Sequence, residues 1–141
     1  DVMLGAYYGG LCLGPVNTAG VHALSAPLGG YGIAHGVANA LLLPHVFRFN
    51  LPAMPERYAH IAQALGVEPR ASATETAEAG LARLVELSRR CGIPERLGRV
   101  GVKEGDLPSL AREAIKVQRL LKNNPREITE ADALALYRAA F

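Results

Sequence analysis

The stretch from Thr18 to Asn50, TAGVHALSAPLGGYGIAHGVANALLLPHVFRFN, governs how the rest of the chain is read. It carries His22, His35 and His45 in the most apolar part of the sequence. Pro27, Gly29, Gly30 and Gly32 fall between the first two histidines, and a helix does not run through that combination. Proline removes a backbone donor, and each glycine gives up conformational entropy. The local reading is therefore helix, glycine-rich loop, helix. Thr18 to Leu24 forms the first helix, with Thr18 as its N-cap. His35 to Val46 forms the second, apolar almost all round and kinked or ended by Pro44. His22 then sits near the end of one helix and His35 at the start of the next. Two neutral imidazoles brought together by a turn make half of a transition-metal site. From spacing alone two roles stay open, because a histidine in apolar surroundings also serves as a core residue bonded to a backbone carbonyl. Two histidines without a carboxylate do not complete a site.

The totals place this stretch in a domain-sized molecule. The chain has 141 residues, half of them apolar and a fifth charged, with a formal net charge of +2. That length supports a real hydrophobic core. The near-neutral balance gives no electrostatic footprint for nucleic acid or an anionic membrane, so neither is expected as a partner. The longest apolar run, Val37 to Leu43, is far short of the roughly 20 residues that cross a bilayer. Asp1 followed by glycine and tyrosine pairs is not the basic start of a signal peptide. Cys12 and Cys91 lie far apart without a paired spacing and are expected to be reduced and partly buried, in a cytoplasmic protein. The chain opens at Asp1 inside an apolar segment and reads as a piece of something longer.

Outward from the opening stretch the signals are helical throughout. Val2 to Leu13 reads as a tightly packed helix with a buried small-residue face at Gly5, Gly9 and Gly10, ending at Gly14-Pro15. Arg48 to Pro52 reads as a connection. Pro55 suits the first turn of a helix whose apolar face is Tyr58, Ile61, Ala62 and Leu65, closed by Gly66. Ser72 and Glu75 form a capping box before a helix with the stripe Ala77, Leu81, Leu84 and Val85, ended by Gly92. Asp106 caps a further helix, with Pro108 in its first turn and Leu110, Ala111, Ala114 and Ile115 facing inward. The run from Lys122 to Arg126 breaks it, and Thr129 with Asp132 opens a last helix to Phe141. No stretch alternates like a half-buried strand over more than four residues. The expected fold is all-α, a single domain over residues 1–141 with about seven helices.

Other candidate features read as structure. His45, next to Pro44, is placed near a helix C-terminus, where its charge would be favoured. His60 lies one position off an apolar face and reads as solvated surface. The Gly29-Gly30 loop follows no strand and precedes no Lys-Ser/Thr pair, so it is not a phosphate-binding loop; the glycines would let the two histidine-bearing helices pack closely. The acids are scattered singly, and no residue stands out as a catalytic acid or base.

The segments HALSAPLGG from His22 and AHGVANALLLPH through His35 to His45 closely resemble the signature of the iron-containing (group III) alcohol dehydrogenases. The resemblance covers the whole chain and includes GGLCLG from Gly9, Gly92-Ile93-Pro94, GVKEGDLP from Gly101 and Asn124-Pro125-Arg126. It implies the C-terminal helical domain of such an enzyme, with a dehydroquinate-synthase-like fold. It also implies a nucleotide-binding α/β domain upstream, and an active site in the cleft between the two. In that family the metal, iron(II) or sometimes zinc, is held by an upstream Asp and His and by two later histidines, which by motif are His22 and His35. The metal acts as a Lewis acid on the substrate oxygen while hydride passes to or from NAD or NADP. The resemblance further implies a small alcohol or carbonyl substrate, nicotinamide binding mainly by the upstream domain, and a homo-oligomer. Leu13, Ala26 and Gly30 are candidate pocket-lining residues near cofactor and substrate. The pattern departs in two places. Ala26 stands where the family commonly has another histidine, and the loop to His35 is about one residue short at Gly30-Tyr31. With two of four ligands, the isolated chain is expected to bind metal weakly and to be inactive. The alternative is a non-catalytic, dehydrogenase-like helical module used for oligomerisation or partner binding.

Overall fold

The long helix that begins at His35 is the axis around which the other elements pack. The computed structural model describes all residues from Asp1 to Phe141. It contains eight α-helices and no strand: α1 (Val2–Val16), α2 (Gly20–Ser25), α3 (His35–Asn50), α4 (Pro55–Ala64), α5 (Ala73–Arg90), α6 (Leu107–Ala114), α7 (Gln118–Leu121) and α8 (Glu130–Ala140). Short 3-10 turns at Ala26–Tyr31, Leu51–Ala53, Leu97–Val100 and Glu104–Asp106 join them. The all-α expectation holds, with one helix more than the sequence suggested. The addition is α7, a single turn between Val117 and Lys122 that is too short to show a period.

The main core gathers Leu24 and Leu28 with Leu41, Leu42 and Val46 of α3, Leu107, Leu110 and Ala111 of α6, and Leu136 and Tyr137 of α8. A second cluster, Phe47, Leu51, Ala77 and Leu81, fastens α5 to the far end of α3, with the Tyr58 ring edge-on to Phe47 at 4.4 Å. There α4 lies against α5 so closely that a side chain on Gly80 would collide with Ala62. This contact turns the buried face of α4 to Ala59 and Ala62 and leaves Ile61 exposed, contrary to the stripe read from the sequence.

Several caps follow from local chemistry as expected. Ser72 Oγ accepts from the Glu75 N–H, and Thr129 and Asp132 form a full capping box. Gly66 and Gly92 end α4 and α5 with positive φ. Thr18 does not cap α2; its N–H instead donates to the Asn17 Oδ1, and the helix starts two residues later at Gly20.

Pro44 neither ends nor visibly divides α3, which continues to Asn50 and absorbs the expected connection. Proline costs this helix one bond to the Ala40 carbonyl. The buried residues Leu41, Leu42, Val46 and Phe47 on either side hold the helix in register across the gap. The sharpest departure is α1. None of its residues is buried, and a methyl group added at any of its glycines would meet no atom within 4 Å. Apolar residues and glycines point in all directions around it, so it lacks the single stripe that would dock it on this core.

Candidate metal centre

His22 is carried by α2, which has only six residues and would not be stable alone. Three contacts fix it. Gly20, its first residue, donates its N–H to Asn124 Oδ1 at 3.3 Å and touches so tightly that a methyl group there would lie 2.6 Å from that oxygen. Asn124 is held in turn by a reciprocal amide pair with Asn50 at the end of α3, at 2.9 and 2.7 Å. At the other end of α2, the buried Tyr137 hydroxyl of α8 donates to the Leu24 carbonyl at 2.5 Å. The helix that bears His22 is thereby tied to α3, to the Asn124 turn and to α8.

His35 is the first residue of α3, reached from α2 through the 3-10 turn Ala26–Tyr31 and the left-handed Gly32 at φ 69°. Gly29 and Gly30 make no close approach, so the expected packing role for them does not hold; Gly32 is the glycine the turn requires. The path closes the two histidines on each other, with ring centroids 5.2 Å apart and the planes tilted by 60°. An ion held by two ring nitrogens at roughly 2.1 Å, with a tetrahedral opening between them, sets two ring centroids about 5 Å apart. The pair therefore has the spacing of two imidazoles that share one ion.

Electrostatics favour the neutral, ligating form. Burial, and then the neighbouring His35, hold the His22 imidazole below its ordinary pKa. Asn39, one turn into α3, lies over His35. Its Nδ2 is 2.9 Å from the His35 carbonyl oxygen, 3.0 Å from Nε2 and 3.3 Å from Nδ1. Its Oδ1 is buried with no partner. No group of three or more His, Cys, Asp or Glu side chains that could hold a metal ion forms in the chain.

The remaining candidates are spread out. Leu13 is exposed on α1, and Gly30 is exposed in the 3-10 turn. Ala26 lines an open cleft with Pro27, Tyr31, Leu110 and Lys116, on the side of α6. His45 lies inside α3 and not at its C-terminus, because the helix runs past Pro44. Burial, then Arg48 and Arg96, keep its pKa below the ordinary value. His60 is exposed, as read from the sequence. Cys12 and Cys91 are both free, and both are exposed where partial burial was expected; one sits on the undocked α1 and the other just past the end of α5.

Sequence reasoning missed Asn39, Asn124 and Gly20. The available signal for Asn39 was an amide within the apolar run Val37 to Leu43, four residues after a candidate ligand. Gly20 and Asn124 lie far apart in the chain, and nothing local announces that they meet.

Comparison with known proteins is consistent across sequence and structure. The profile "Fe-containing alcohol dehydrogenase family, C-terminal" matches residues 1–141. The 1,3-propanediol dehydrogenase of Klebsiella pneumoniae is 42% identical over 134 residues, which is 94% of this chain and 34% of that protein. The lactaldehyde reductase of Escherichia coli K12 is 39% identical over 143 residues, all of this chain and 37% of the relative. The chain thus spans about a third of the length of the curated relatives it matches. Among solved structures, an alcohol dehydrogenase from Oenococcus oeni superposes with a TM-score of 0.87 at 35% identity, over 94% of this chain and 35% of that one. A 1,3-propanediol oxidoreductase does so with a TM-score of 0.84 at 44% identity, covering 89% of this chain and 33% of the other.

Proposed function

The chain belongs to the Fe-containing alcohol dehydrogenase family, and from that membership we propose that it is the C-terminal helical domain of a metal-dependent, NAD(P)-linked alcohol dehydrogenase. His22 and His35 are two ligands of its catalytic ion, iron(II) or zinc. The reaction interconverts an alcohol and an aldehyde or ketone. The observation that carries this reading is the imidazole pair, 5.2 Å apart across the Ala26–Tyr31 turn. When bound, the ion supplies Lewis-acid polarisation of the substrate oxygen, and the nicotinamide supplies or accepts the hydride.

The chain's own residues prepare the site. Both rings must be neutral to ligate, and burial, then the neighbouring His35, lower the His22 pKa in that direction. Gly20, Asn124 and Tyr137 orient α2 so that His22 faces His35. Two imidazoles leave the coordination sphere open, and the remaining ligands, an Asp and a His, come from the rest of the polypeptide. A nucleotide-binding domain on the same polypeptide holds the dinucleotide and forms the other wall of the cleft. Exposed apolar α1, with Tyr7, Tyr8, Leu11 and Leu13, gives that domain a surface to cover. Of the pocket candidates, Ala26 alone lines a cleft within this chain, and Leu13 and Gly30 are left exposed toward the other domain in this reading.

Ala26, smaller than a histidine, removes an imidazole from any proton relay at that position. The relatives' names, a 1,3-propanediol dehydrogenase, a lactaldehyde reductase and a long-chain-alcohol dehydrogenase, set diols, hydroxyaldehydes and longer alcohols as the classes to try first. The enzyme is a cytoplasmic homo-oligomer in this reading, and no helix here is long and apolar enough to cross a membrane.

The test is metal analysis of the full-length protein beside a nicotinamide-linked assay over small alcohols and aldehydes. The expected result is one ion per chain and turnover abolished by His22→Ala or His35→Ala. Undiminished turnover in both variants, or turnover without stoichiometric metal, would contradict it.

A further inference from the structure

His45 and Arg48 stand three positions apart on α3, so their side chains leave one face of the helix. Ser88 and Arg89 from the last turn of α5 come to the same place, and the turn that follows α5 adds Glu95 and Arg96. Together they line one cavity of about 380 Å³. It lies ten residues past His35, about 15 Å along the α3 axis, and the histidine pair makes no use of it.

The charges around this cavity do not balance. Glu95 is its one acid, and both Glu95 oxygens are taken by Arg89, whose Nε and Nη2 donate to them at 2.8 and 3.0 Å. That two-pronged pair is complete in itself. The chain's other ion pairs join Arg83 to Glu86 and Lys116 to Glu113, so Arg48 and Arg96 have no carboxylate partner. Two guanidiniums and a partly buried imidazole therefore share a cavity with nothing to neutralise them. The repulsion registers on the ring, because after burial it is Arg48 and then Arg96 that hold His45 below its ordinary pKa. Leu41, Pro44 and Ile93 form an apolar side of the same cavity, and walls of that kind focus a field of one sign and draw in counter-ions.

The donor set selects the anion. Guanidinium forks match the paired oxygens of carboxylate and phosphate. Two forks with an imidazole N–H and the Ser88 hydroxyl offer more donors than a carboxylate can accept, and a phosphate group has the further oxygens to meet them. Arg48, Val85 and Arg89 also line a neighbouring groove of about 810 Å³ that reaches Pro52 and Leu81, so the body of an ester has room beside its head. We infer that His45, Arg48 and Arg96 form a binding site for a phosphate group, free or carried by an ester, where α3 meets the end of α5.

Histidine-selective NMR of the full-length protein, titrated with inorganic phosphate at constant ionic strength, tests this. His45→Gln assigns the His45 resonance. A saturable shift of that resonance is expected, with a rise in its pKa, since the phosphate charge favours the imidazolium. Arg48→Gln and Arg96→Gln, both at exposed positions, are each expected to weaken phosphate about ten- to a hundredfold, and the surface control Arg112→Gln to leave it unchanged. Phenyl phosphate separates the two sources: tighter binding than phosphate assigns an ester, and equal or weaker binding assigns free phosphate. A His45 resonance that phosphate leaves unmoved overturns the site, as does equal phosphate affinity in the wild type and both arginine variants.

Discussion

At the scale of single residues, the proposed site depends on two imidazoles that are neutral when they ligate. That His22 and His35 meet across the turn was legible from the sequence; spacing left ligation and core packing both open. Asn39 was not legible, since an asparagine inside an apolar helix announces no partner until the i to i+4 geometry is seen. The same holds for Tyr137, which reads as one more apolar position on α8 yet supplies a buried hydroxyl to the Leu24 carbonyl. Tyr137→Phe leaves that carbonyl buried without its donor. The expected cost is about 1–3 kcal/mol of stability, measured by denaturant unfolding, and a variant as stable as the wild type would show that this bond does not hold α2.

At the scale of elements, regular helices were read well and junctions were not. Caps at Ser72 and Thr129 and stops at Gly66 and Gly92 follow from local backbone chemistry, so the sequence displays them directly. The start of α2, the passage of α3 through Pro44 and the rotated face of α4 depend on what packs against each element, and no window of sequence contains that. Helix α1 marks the extreme, because its glycines suggested close packing while this chain offers it no surface. The clamp on α2 gives the clearest prediction at this scale. Gly20→Ala would push a methyl group into Asn124 and Ile128, breaking the link from α2 to the Asn50–Asn124 pair. We expect a loss of about 1–3 kcal/mol together with weaker zinc binding, because His22 moves with the helix. Unfolding and metal titration of the same variant measure both, and unchanged values in the two would show that the clamp does not position His22.

At the scale of the whole molecule, the chain is a helical body with one histidine pair at its surface and one apolar helix left uncovered, spanning about a third of its curated relatives' length. Acid sensitivity belongs to this scale. His45 lies inside α3, where burial and then Arg48 and Arg96 lower its pKa from 6.5. The unfolded chain binds that proton more readily than the folded one, so stability contributed by the neutral ring is full above about pH 6.5 and declines as the pH falls toward the folded value. Unfolding free energies from pH 7.5 to 5 should therefore fall less steeply in His45→Gln than in the wild type; equal slopes would contradict this.

The claim on which the functional reading rests is that His22 and His35 share one ion. Calorimetric titration of the chain with Zn²⁺ measures it, with His22→Ala, His35→Ala and the surface control His60→Ala alongside. Weak one-to-one binding is expected in the wild type and His60→Ala, and none in either of the other two. Unaltered binding in His22→Ala or His35→Ala would contradict it.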